Sequence, residues 1–279
     1  MKNMLKKMIL VLEQRLCLQS FERMPESSSE ITDKEFIKNF IIEAEKGNLD
    51  VLYRYIVESV SKLSLDASNA LDIGCGPATL LCQMARKLSG TQFTAIDMSS
   101  VMIEIAKENA EKSGVKNISF MCKSWFELKD FEDHSYDIVT WNLALHHCDN
   151  KNEVVQVINS ISKILKPSGK LFIFDVLRPC SERNMTWFLD SFINNKNPAY
   201  FQNVLESFRA GYTFGEIEEI LSQSLFKSYT HIEPLLMNYW QVVICNKEPH
   251  VLEKKSFVSE LEYRLFKFFM KYPVRRKVF

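Results

Sequence analysis

Two glycines separated by a single cysteine are the first residues whose spacing suggests ligand chemistry. Gly74 and Gly76 follow the apolar run Ala70–Ile73 and precede Pro77. Glycine lets a backbone approach a ligand at positions where a side chain would block it. A dinucleotide-binding loop needs a third glycine three residues after the second, and Thr79 occupies that position. A phosphate loop ending in Gly-Lys-Ser/Thr is also absent, so the turn favours a ligand without phosphates.

An acidic residue downstream, Asp97, restricts the class of ligand that the turn is expected to bind. Asp97 lies 23 residues after Gly74, at the end of the next predicted strand, where a carboxylate can accept both hydroxyls of a ribose. Ser99 is the expected N-cap of the following helix. Pro77 is expected to start the preceding helix, and it removes one N–H from the end that binds anions. Together these features indicate a nucleoside.

Two adjacent histidines are the candidates for acid–base chemistry. His146 and His147 follow the fourth predicted strand, and an imidazole can deprotonate a hydroxyl, thiol or amine near neutral pH. The alternative is that the pair hydrogen-bonds to nearby backbone and only shapes the site. As a general base we favour His147, which is predicted to lie nearer the substrate side of the loop.

Alternating short strands and amphipathic helices must position these residues. From residue 69, strands are predicted at NALDIGC, TQFTAID, NISFMC, YDIVTWN and KLFIFDV, with helices at 78–88, 100–113 and 152–165. Nearly continuous apolar strands between helices predict a parallel sheet covered on both faces. The expected fold is therefore a doubly wound α/β sheet, which binds ligands at the carboxyl ends of its strands.

The segment after the fifth strand breaks this rhythm. Residues 178–212 are helical in composition and rich in aromatic residues, which predicts a helical cap inserted in the sheet domain. The cap is expected either to form a lid over an aromatic or lipid-like acceptor or to bury its aromatic residues between two packed helices. Candidate substrate contacts are Arg178, Trp187 and Tyr212, although Arg178 could equally be a solvated surface residue.

The remaining strands are expected to close the sheet. FKSYTHIE and LLMNYWQVVIC predict a hairpin with an antiparallel edge, after a helix, TFGEIEEILSQ, that opens with the capping-box spacing of Thr213 and Glu216. The predicted organisation is N-terminal helices and a linker at 1–65, a sheet domain at 66–246 and a tail at 247–279. Within the first part, PESSSE at 25–30 is predicted to be a polar linker.

Composition excludes several functions. The chain has 279 residues, 46% of them hydrophobic, and a net charge of zero, so no global field attracts nucleic acid and no such partner is expected. Seven scattered cysteines without a C-x-x-C pair argue against a disulfide framework or a metal cluster. We therefore predict a cytoplasmic protein without a bound metal. A homo-oligomer is compatible with the sequence.

Both ends of the chain carry amphipathic segments. Residues 253–279 hold eight Lys or Arg against three Glu, with seven aromatic residues. This pattern predicts docking on a membrane surface or a protein partner, or packing on the protein's own surface. Near the start, one apolar helix face is predicted from Leu5, Met8, Leu12 and Leu16. No stretch is apolar enough to predict a membrane span.

Four segments in register resemble the class I S-adenosylmethionine-dependent methyltransferases that act on small molecules. The segments are ALDIGCGPATL, FTAIDMSSVMIEIAKENA, YDIVTWNLALHH and ISKILKPSGKLFIFDV. They cover about residues 66–177, and the closing hairpin extends the resemblance to about residue 246. The resemblance implies a seven-stranded, mostly parallel sheet and S-adenosyl-L-methionine as the methyl donor.

The resemblance also implies roles for individual residues. Those at the ends of the first and fourth strands would line the methionine part and the sulfonium of the cofactor; they are Asp72, Gly74, Gly76, Ala78, Asn142 and Leu143. Asp97 would hold the ribose, and Met98 would pack on the adenine. Family members often carry an acid after the third strand to bind the adenine amino group. Here that position is Ser124, whose hydroxyl could accept instead, and Trp125 would cover the edge of the ring.

The function predicted from the sequence is methyl transfer to a small, partly apolar acceptor. The reaction is an in-line displacement that depends on positioning and water exclusion. Methylation of tRNA or of a protein is one alternative, although NLAL replaces the Asn-Pro-Pro-Tyr type of signature. Another is a non-catalytic subunit that binds the cofactor and supports a partner. Thr79 and Pro77 argue against a nicotinamide-dependent oxidoreductase.

Overall fold

A central sheet and its flanking helices account for most of the chain. The computed structural model describes residues 13–14, 20–26, 37, 41–42, 49–192, 198–234, 239–248 and 276–278. Of the helices predicted within residues 1–65, Leu49–Leu63 is helical as predicted, whereas those before residue 49 lie largely outside the described residues. The amphipathic tail also lies outside them, except for its last strand.

The strands form one sheet in the order expected for a doubly wound fold. They are β1 (Asn69–Ile73), β2 (Gln92–Asp97), β3 (Ile118–Cys122), β4 (Tyr136–Asn142), β5 (Leu165–Val176), β6 (Ser228–Ile232), β7 (Trp240–Asn246) and β8 (Arg276–Val278). Their order across the sheet is β3-β2-β1-β4-β5-β7-β6-β8. The first five strands pair in parallel, whereas β7 and β6 add the predicted antiparallel edge. The predicted sheet is confirmed, and the short β8 extends it beyond β6.

Helices cover both faces of the sheet. They are α1 (Leu49–Leu63), α2 (Thr79–Lys87), α3 (Ser100–Lys112), α4 (Lys151–Ile164), α5 (Glu182–Phe192), α6 (Pro198–Ala210) and α7 (Phe214–Ser222). Two predicted caps are confirmed: Ser99 accepts a hydrogen bond from the Met102 N–H at the start of α3, and Thr213 and Glu216 form a capping box at the start of α7.

Alternation along the strands sends side chains into two cores. On β5, Phe172 and Phe174 face one core, and Phe174 contacts Tyr55 of α1 with ring centroids 5.9 Å apart. Leu171 and Ile173 face the other core, which contains α4 and α7. Because both faces are buried, the strands can be apolar at nearly every position.

The predicted helical cap is the pair α5 and α6, between β5 and α7. Phe188 of α5 stacks on Tyr239, with ring centroids 3.9 Å apart, and Phe208 of α6 lies 5.7 Å from Trp240. All four of these side chains are buried. These aromatic residues therefore anchor the cap to the sheet and do not present a free lid surface.

Candidate functional site

The glycine turn after β1 contains three residues in the left-handed backbone region. Gly74, Gly76 and Ala78 have φ values of +65°, +49° and +58°, which only glycine adopts without strain. A Cβ added to Gly74 would lie 2.7 Å from the Cβ of Ala144, whereas one added to Gly76 would meet nothing within 4 Å. Gly74 thus permits loop packing, and Gly76 leaves a face open for a ligand.

Pro77 lies in the turn and does not begin the helix, so this prediction is wrong. The N–H of Ala78 donates to the carbonyl of Cys75 over 2.9 Å, and α2 begins at Thr79. The left-handed residues on both sides of Pro77 reverse the chain before the first helical residue. The carbonyl of Pro77 accepts instead from the side chain of Asn109 on α3, over 2.9 Å.

Asp97, at the end of β2, links the turn to the start of α3. Its Oδ2 accepts from the Gly76 N–H and its Oδ1 accepts from the Ser99 N–H, both over 2.9 Å. Each carboxylate oxygen keeps a further lone pair for a ligand hydroxyl. Burial raises the pKa of Asp97, and the two N–H groups oppose the rise. Beside it, Met98 is 53% exposed and offers apolar surface.

The ends of β1 and β4 place two polar side chains inside this edge of the sheet. Asp72 is buried and accepts from the Thr140 hydroxyl over 2.5 Å, and burial raises its pKa to about 7. Both polar atoms of the Asn142 amide are buried, and within the described part of the chain neither meets the geometry of a hydrogen bond, although the amide lies near enough to Asp72 to oppose the rise of its pKa. Leu143 follows with a φ of +53°, a strained conformation that is typical of functional sites.

Ser124 begins a short 3₁₀ helix over Trp125–Asp130. Its hydroxyl accepts from the Phe126 N–H over 3.3 Å, and its own N–H donates to Glu127 over 2.7 Å. The segment Ser-Trp-Phe-Glu is a capping-box sequence, so the structure uses this hydroxyl oxygen as a helix cap. Trp125 packs against Trp141, with ring centroids 6.0 Å apart. Contact of Ser124 or Trp125 with adenine remains a prediction.

The two histidines occupy different environments in the short 3₁₀ helix Leu145–His147. His146 is buried, and its Nδ1 lies 2.6 Å from Oδ1 of Asp175. The other oxygen of Asp175 accepts from the His146 backbone N–H over 3.0 Å. Burial alone would lower the pKa of His146, but the Asp175 carboxylate outweighs it and the pKa is raised. His147 is exposed, at 45% for its side chain.

A glutamate from the N-terminal region completes this group. Oε2 of Glu26 lies 2.7 Å from Nδ1 of His147, and Oε1 lies 3.8 Å from Nε2 of His146. The hydroxyl of Ser207, on α6, donates to Glu26 over 2.6 Å. Burial alone would raise the pKa of Glu26, but the hydrogen bond to His147 and the two imidazoles lower it to about 2. Glu26 is therefore held as a carboxylate between the cap and the histidines.

Residues 20–26, which we call the strap, are fixed across this edge by one arginine. The guanidinium of Arg23 lies 4.1 Å from the ring centroid of Tyr212. It also donates to four backbone carbonyls, those of His146, Cys148, Asp149 and Ala210. The strap could not be identified from the sequence. PESSSE has the polar composition of a linker, although its Glu26 lies in the site. Asp175 could have been noticed, since it lies near the end of a buried strand.

The three predicted substrate residues do not form an open binding surface. Arg178 is buried and pairs with Glu216 over 2.9 Å. The alternative interpretation of Arg178 as a solvated surface residue is therefore wrong. Tyr212 is buried and donates to the Cys148 carbonyl over 3.1 Å. Trp187 is half-buried against the core on the side of the cap. Their roles in substrate binding stay predictions, and the polar groups of Arg178 and Tyr212 are already engaged within the fold.

Known proteins match this chain over the same region. A family model described as a methyltransferase domain matches residues 64–227. A 2-phytyl-1,4-naphtoquinone methyltransferase of Nostoc sp. is 28% identical over 190 residues, covering 63% of this chain and 80% of that protein. A ubiquinone biosynthesis O-methyltransferase of Xanthomonas euvesicatoria is 33% identical over 113 residues, covering 40% of this chain and 45% of that protein.

Solved structures show the same fold. A putative O-methyltransferase of Nostoc punctiforme superimposes with a TM-score of 0.59 at 20% identity, covering 85% of this chain and 67% of that one. An S-adenosylmethionine-dependent methyltransferase of Aquifex aeolicus gives 0.55 at 18% identity, covering 76% of this chain and 97% of that one. The chain belongs to the methyltransferase domain family and is a class I S-adenosylmethionine-dependent methyltransferase.

Proposed function

We propose that this enzyme methylates a hydroxyl group on a small aromatic acceptor of the hydroquinone type. The observation that carries the proposal is the exposed His147, hydrogen-bonded to Glu26 over 2.7 Å at the carboxyl edge of the sheet. The names of two relatives, a naphthoquinone methyltransferase and a ubiquinone biosynthesis O-methyltransferase, support the acceptor class. Such acceptors are small and partly apolar, as the sequence predicts.

The residues at this edge fit S-adenosylmethionine. The open face of Gly76 and the buried amide of Asn142, whose polar atoms make no well-formed hydrogen bond among the described residues, suit the amino-acid part of the cofactor, which both donates and accepts hydrogen bonds. Asp97 would accept from the ribose hydroxyls, and the exposed Met98 would cover the adenine. When bound, the cofactor supplies a methyl group on a positively charged sulfur.

His147 is the proposed general base. Glu26 accepts the Nδ1 proton, which leaves the lone pair on Nε2 free to take a proton from the acceptor. His146, held by Asp175, is a positioning residue that fixes the short helix carrying His147.

The strap and the cap would keep water from the acceptor. They are joined by the hydrogen bond from Ser207 to Glu26 and by that from Arg23 to the Ala210 carbonyl. Both bonds reach α6, so closing the site on this side requires the strap to be in place. Exclusion of water favours an in-line displacement in which the positive charge of the sulfonium is lost.

The amphipathic tail 253–279 suggests that the enzyme binds such an acceptor at a membrane surface. We propose a cytoplasmic enzyme whose tail docks on a membrane surface, because its basic and aromatic residues match that chemistry. None of the described helices is long and apolar enough to cross a membrane. Flotation with anionic liposomes should decrease when the Lys and Arg residues of 253–275 are replaced by Gln, which leaves β8 in place, and equal flotation would contradict docking through the tail.

The proposed base is tested by His147→Asn. We expect turnover of a hydroquinone acceptor to fall by about 100-fold or more, while the affinity for S-adenosylhomocysteine measured by calorimetry stays the same. His134→Asn is the matched control, because His134 lies outside the site with a φ of +57°, which asparagine tolerates. Unchanged turnover in His147→Asn would refute the base. Cofactor binding without methylation of any hydroquinone in a panel would refute the acceptor class.

A further inference from the structure

We infer that Glu26, His146 and His147 form a binding site for a divalent transition-metal ion such as Zn²⁺. One ligand atom from each residue lies within 4.8 Å of the other two. A carboxylate and two imidazoles are a common ligand set for Zn²⁺, and they suit Mg²⁺ or Ca²⁺ poorly. The sequence predicts no metal, because nothing in its spacing connects Glu26 with the histidines.

The separations between ligand atoms fit a single ion. Zinc holds nitrogen and oxygen ligands at about 2.1 Å, so two ligands of a tetrahedral ion are about 3.4 Å apart. Oε2 of Glu26 lies 2.7 Å from Nδ1 of His147 and Oε1 lies 3.8 Å from Nε2 of His146, so each carboxylate oxygen faces a different histidine. One ligand atom of each residue lies within 4.8 Å of the other two, so side-chain rotations that turn one carboxylate oxygen between the two nitrogens would bring three ligand atoms onto one ion.

The surrounding groups already orient the ligands. A metal-binding histidine almost always donates its other ring N–H to a carboxylate or carbonyl, and Nδ1 of His146 lies 2.6 Å from Asp175. Asp175 is itself fixed by the backbone N–H groups of His146 and Val176. This arrangement leaves the lone pair of His146 on Nε2, the atom that faces Glu26. On the other side, Ser207 holds Glu26.

The site also has solvent access and an open position. His146 is buried, but His147 is exposed, so an ion can reach the group from the side of His147. Three protein ligands leave the fourth tetrahedral position open. A water molecule or an acceptor oxygen could fill it.

Metal binding has a consequence for the proposed base. A metal on Nδ1 of His147 fixes the tautomer whose proton is on Nε2, and this tautomer has no lone pair to accept a proton. A loaded site would therefore switch off methyl transfer to a hydroxyl. This consequence depends on the proposed function, whereas metal binding itself does not.

Calorimetric titration of Zn²⁺ into the metal-free full-length enzyme tests the site. We expect one ion per chain, with an affinity that falls at least about tenfold in Glu26→Gln and in His147→Asn. Glu219→Gln, at a surface ion pair with Lys151, and Cys122→Ser, at an exposed thiol, should keep the wild-type affinity. Circular dichroism confirms that each variant is folded, and His147 is exposed enough that its replacement leaves the core intact.

Two outcomes would overturn the metal site: no stoichiometric Zn²⁺ binding by the wild type, or the same affinity in folded Glu26→Gln and His147→Asn. A separate assay tests the consequence, since Zn²⁺ should inhibit turnover and a chelator should restore it. Binding that depends on Glu26 without inhibition would leave the metal site standing and refute the proposed base. Turnover that depends on His147, in an enzyme that binds no Zn²⁺, would refute the metal site alone.

Discussion

The two glycines in the turn after β1, Gly74 and Gly76, have different structural roles that their spacing in the sequence does not distinguish. Gly74 and Gly76 both have positive φ values, but only Gly74 is enclosed, since its added Cβ would meet Ala144. The glycine spacing predicted a close approach of backbone to ligand at both positions. In the structure, the neighbour that excludes a side chain at Gly74 is the loop after β4, and the open face belongs to Gly76.

This difference predicts separate effects for alanine at the two positions. Gly76→Ala should cost about 1–2 kcal/mol of unfolding free energy from left-handed strain and should also weaken S-adenosylhomocysteine binding, because the new methyl group occupies the open face. Gly74→Ala should cost about 1–3 kcal/mol more than Gly76→Ala, since the added methyl is overpacked against Ala144. Urea denaturation and calorimetry measure the two quantities.

Gly114 provides the matched control. It has a φ of +67° with nothing within 4 Å of an added Cβ, and it lies after α3, away from the carboxyl edge. Gly114→Ala should cost the same strain as Gly76→Ala without changing cofactor affinity. Equal affinity in Gly76→Ala and Gly114→Ala would show that the open face of Gly76 does not receive the cofactor.

Among the larger elements, the strap joins parts of the site that the sheet does not connect. It contacts the histidine-bearing 3₁₀ helix through Arg23 and Glu26, and α6 through the Ala210 carbonyl and Ser207. The family model begins at residue 64, after the strap. The matched methyltransferase domain therefore contains the proposed cofactor residues and the two histidines, and the strap adds Glu26, the carboxylate partner of the histidines.

Replacing the arginine that holds the strap should affect the acceptor more than the cofactor. Arg23→Ala removes hydrogen bonds to four carbonyls and the contact with Tyr212. We expect a loss of about 1–3 kcal/mol in unfolding free energy, because the three partly buried carbonyls of His146, Cys148 and Ala210 lose their donor. Acceptor turnover should fall at least about tenfold with little change in S-adenosylhomocysteine affinity.

Arg183→Ala is the control for this prediction, because Arg183 is 71% exposed and pairs with Glu13 at the surface. It should leave both stability and turnover near the wild-type values, as surface ion pairs contribute little. Wild-type turnover in Arg23→Ala would mean that the strap is not needed to assemble the site.

For the whole molecule, the sheet could be predicted because its signals are local and repeated. Within β1, residues 70–73 are apolar at every position except Asp72, and the carboxyl ends of parallel strands meet at one edge of the sheet. The position of Asp97 at this edge follows from its place at the end of the second strand, whereas Asp72 and Asn142 are assigned to it by the family resemblance. Glu26 was not predicted, since its contacts with the histidines depend on tertiary packing across distant parts of the chain.

At Pro77 and Ser124 the same local sequence is compatible with two different backbone structures, and the structure adopts the one that was not predicted. Pro77 was expected to start α2, but left-handed residues on both sides delay the helix to Thr79. Ser124 was assigned to the adenine from its place after β3, although the same residue begins a capping-box sequence with Glu127. In each case backbone hydrogen-bonding requirements determined the local geometry.

The stability of the whole molecule should depend on pH through Asp72. Its pKa of about 7 in the folded protein lies above the value of about 3.9 in an unfolded chain. Folding therefore favours the protonated acid, so this contribution to stability is fully present below pH ~4 and is lost as the pH rises to 7. Since each pH unit is worth about 1.4 kcal/mol, the loss is up to about 4 kcal/mol.

Asp72→Asn should remove this pH dependence while retaining an acceptor for the Thr140 hydroxyl. Compared with the wild type, the variant should gain unfolding free energy steadily between pH 4 and 7 and no further above pH 8. Urea denaturation of both proteins across this range isolates Asp72, since all other titrating groups are common to the two. Parallel stability curves would mean that Asp72 is charged in the folded enzyme. Its burial beside Thr140 would then require a cationic partner, a role that the amino group of the cofactor would fill in the proposed site.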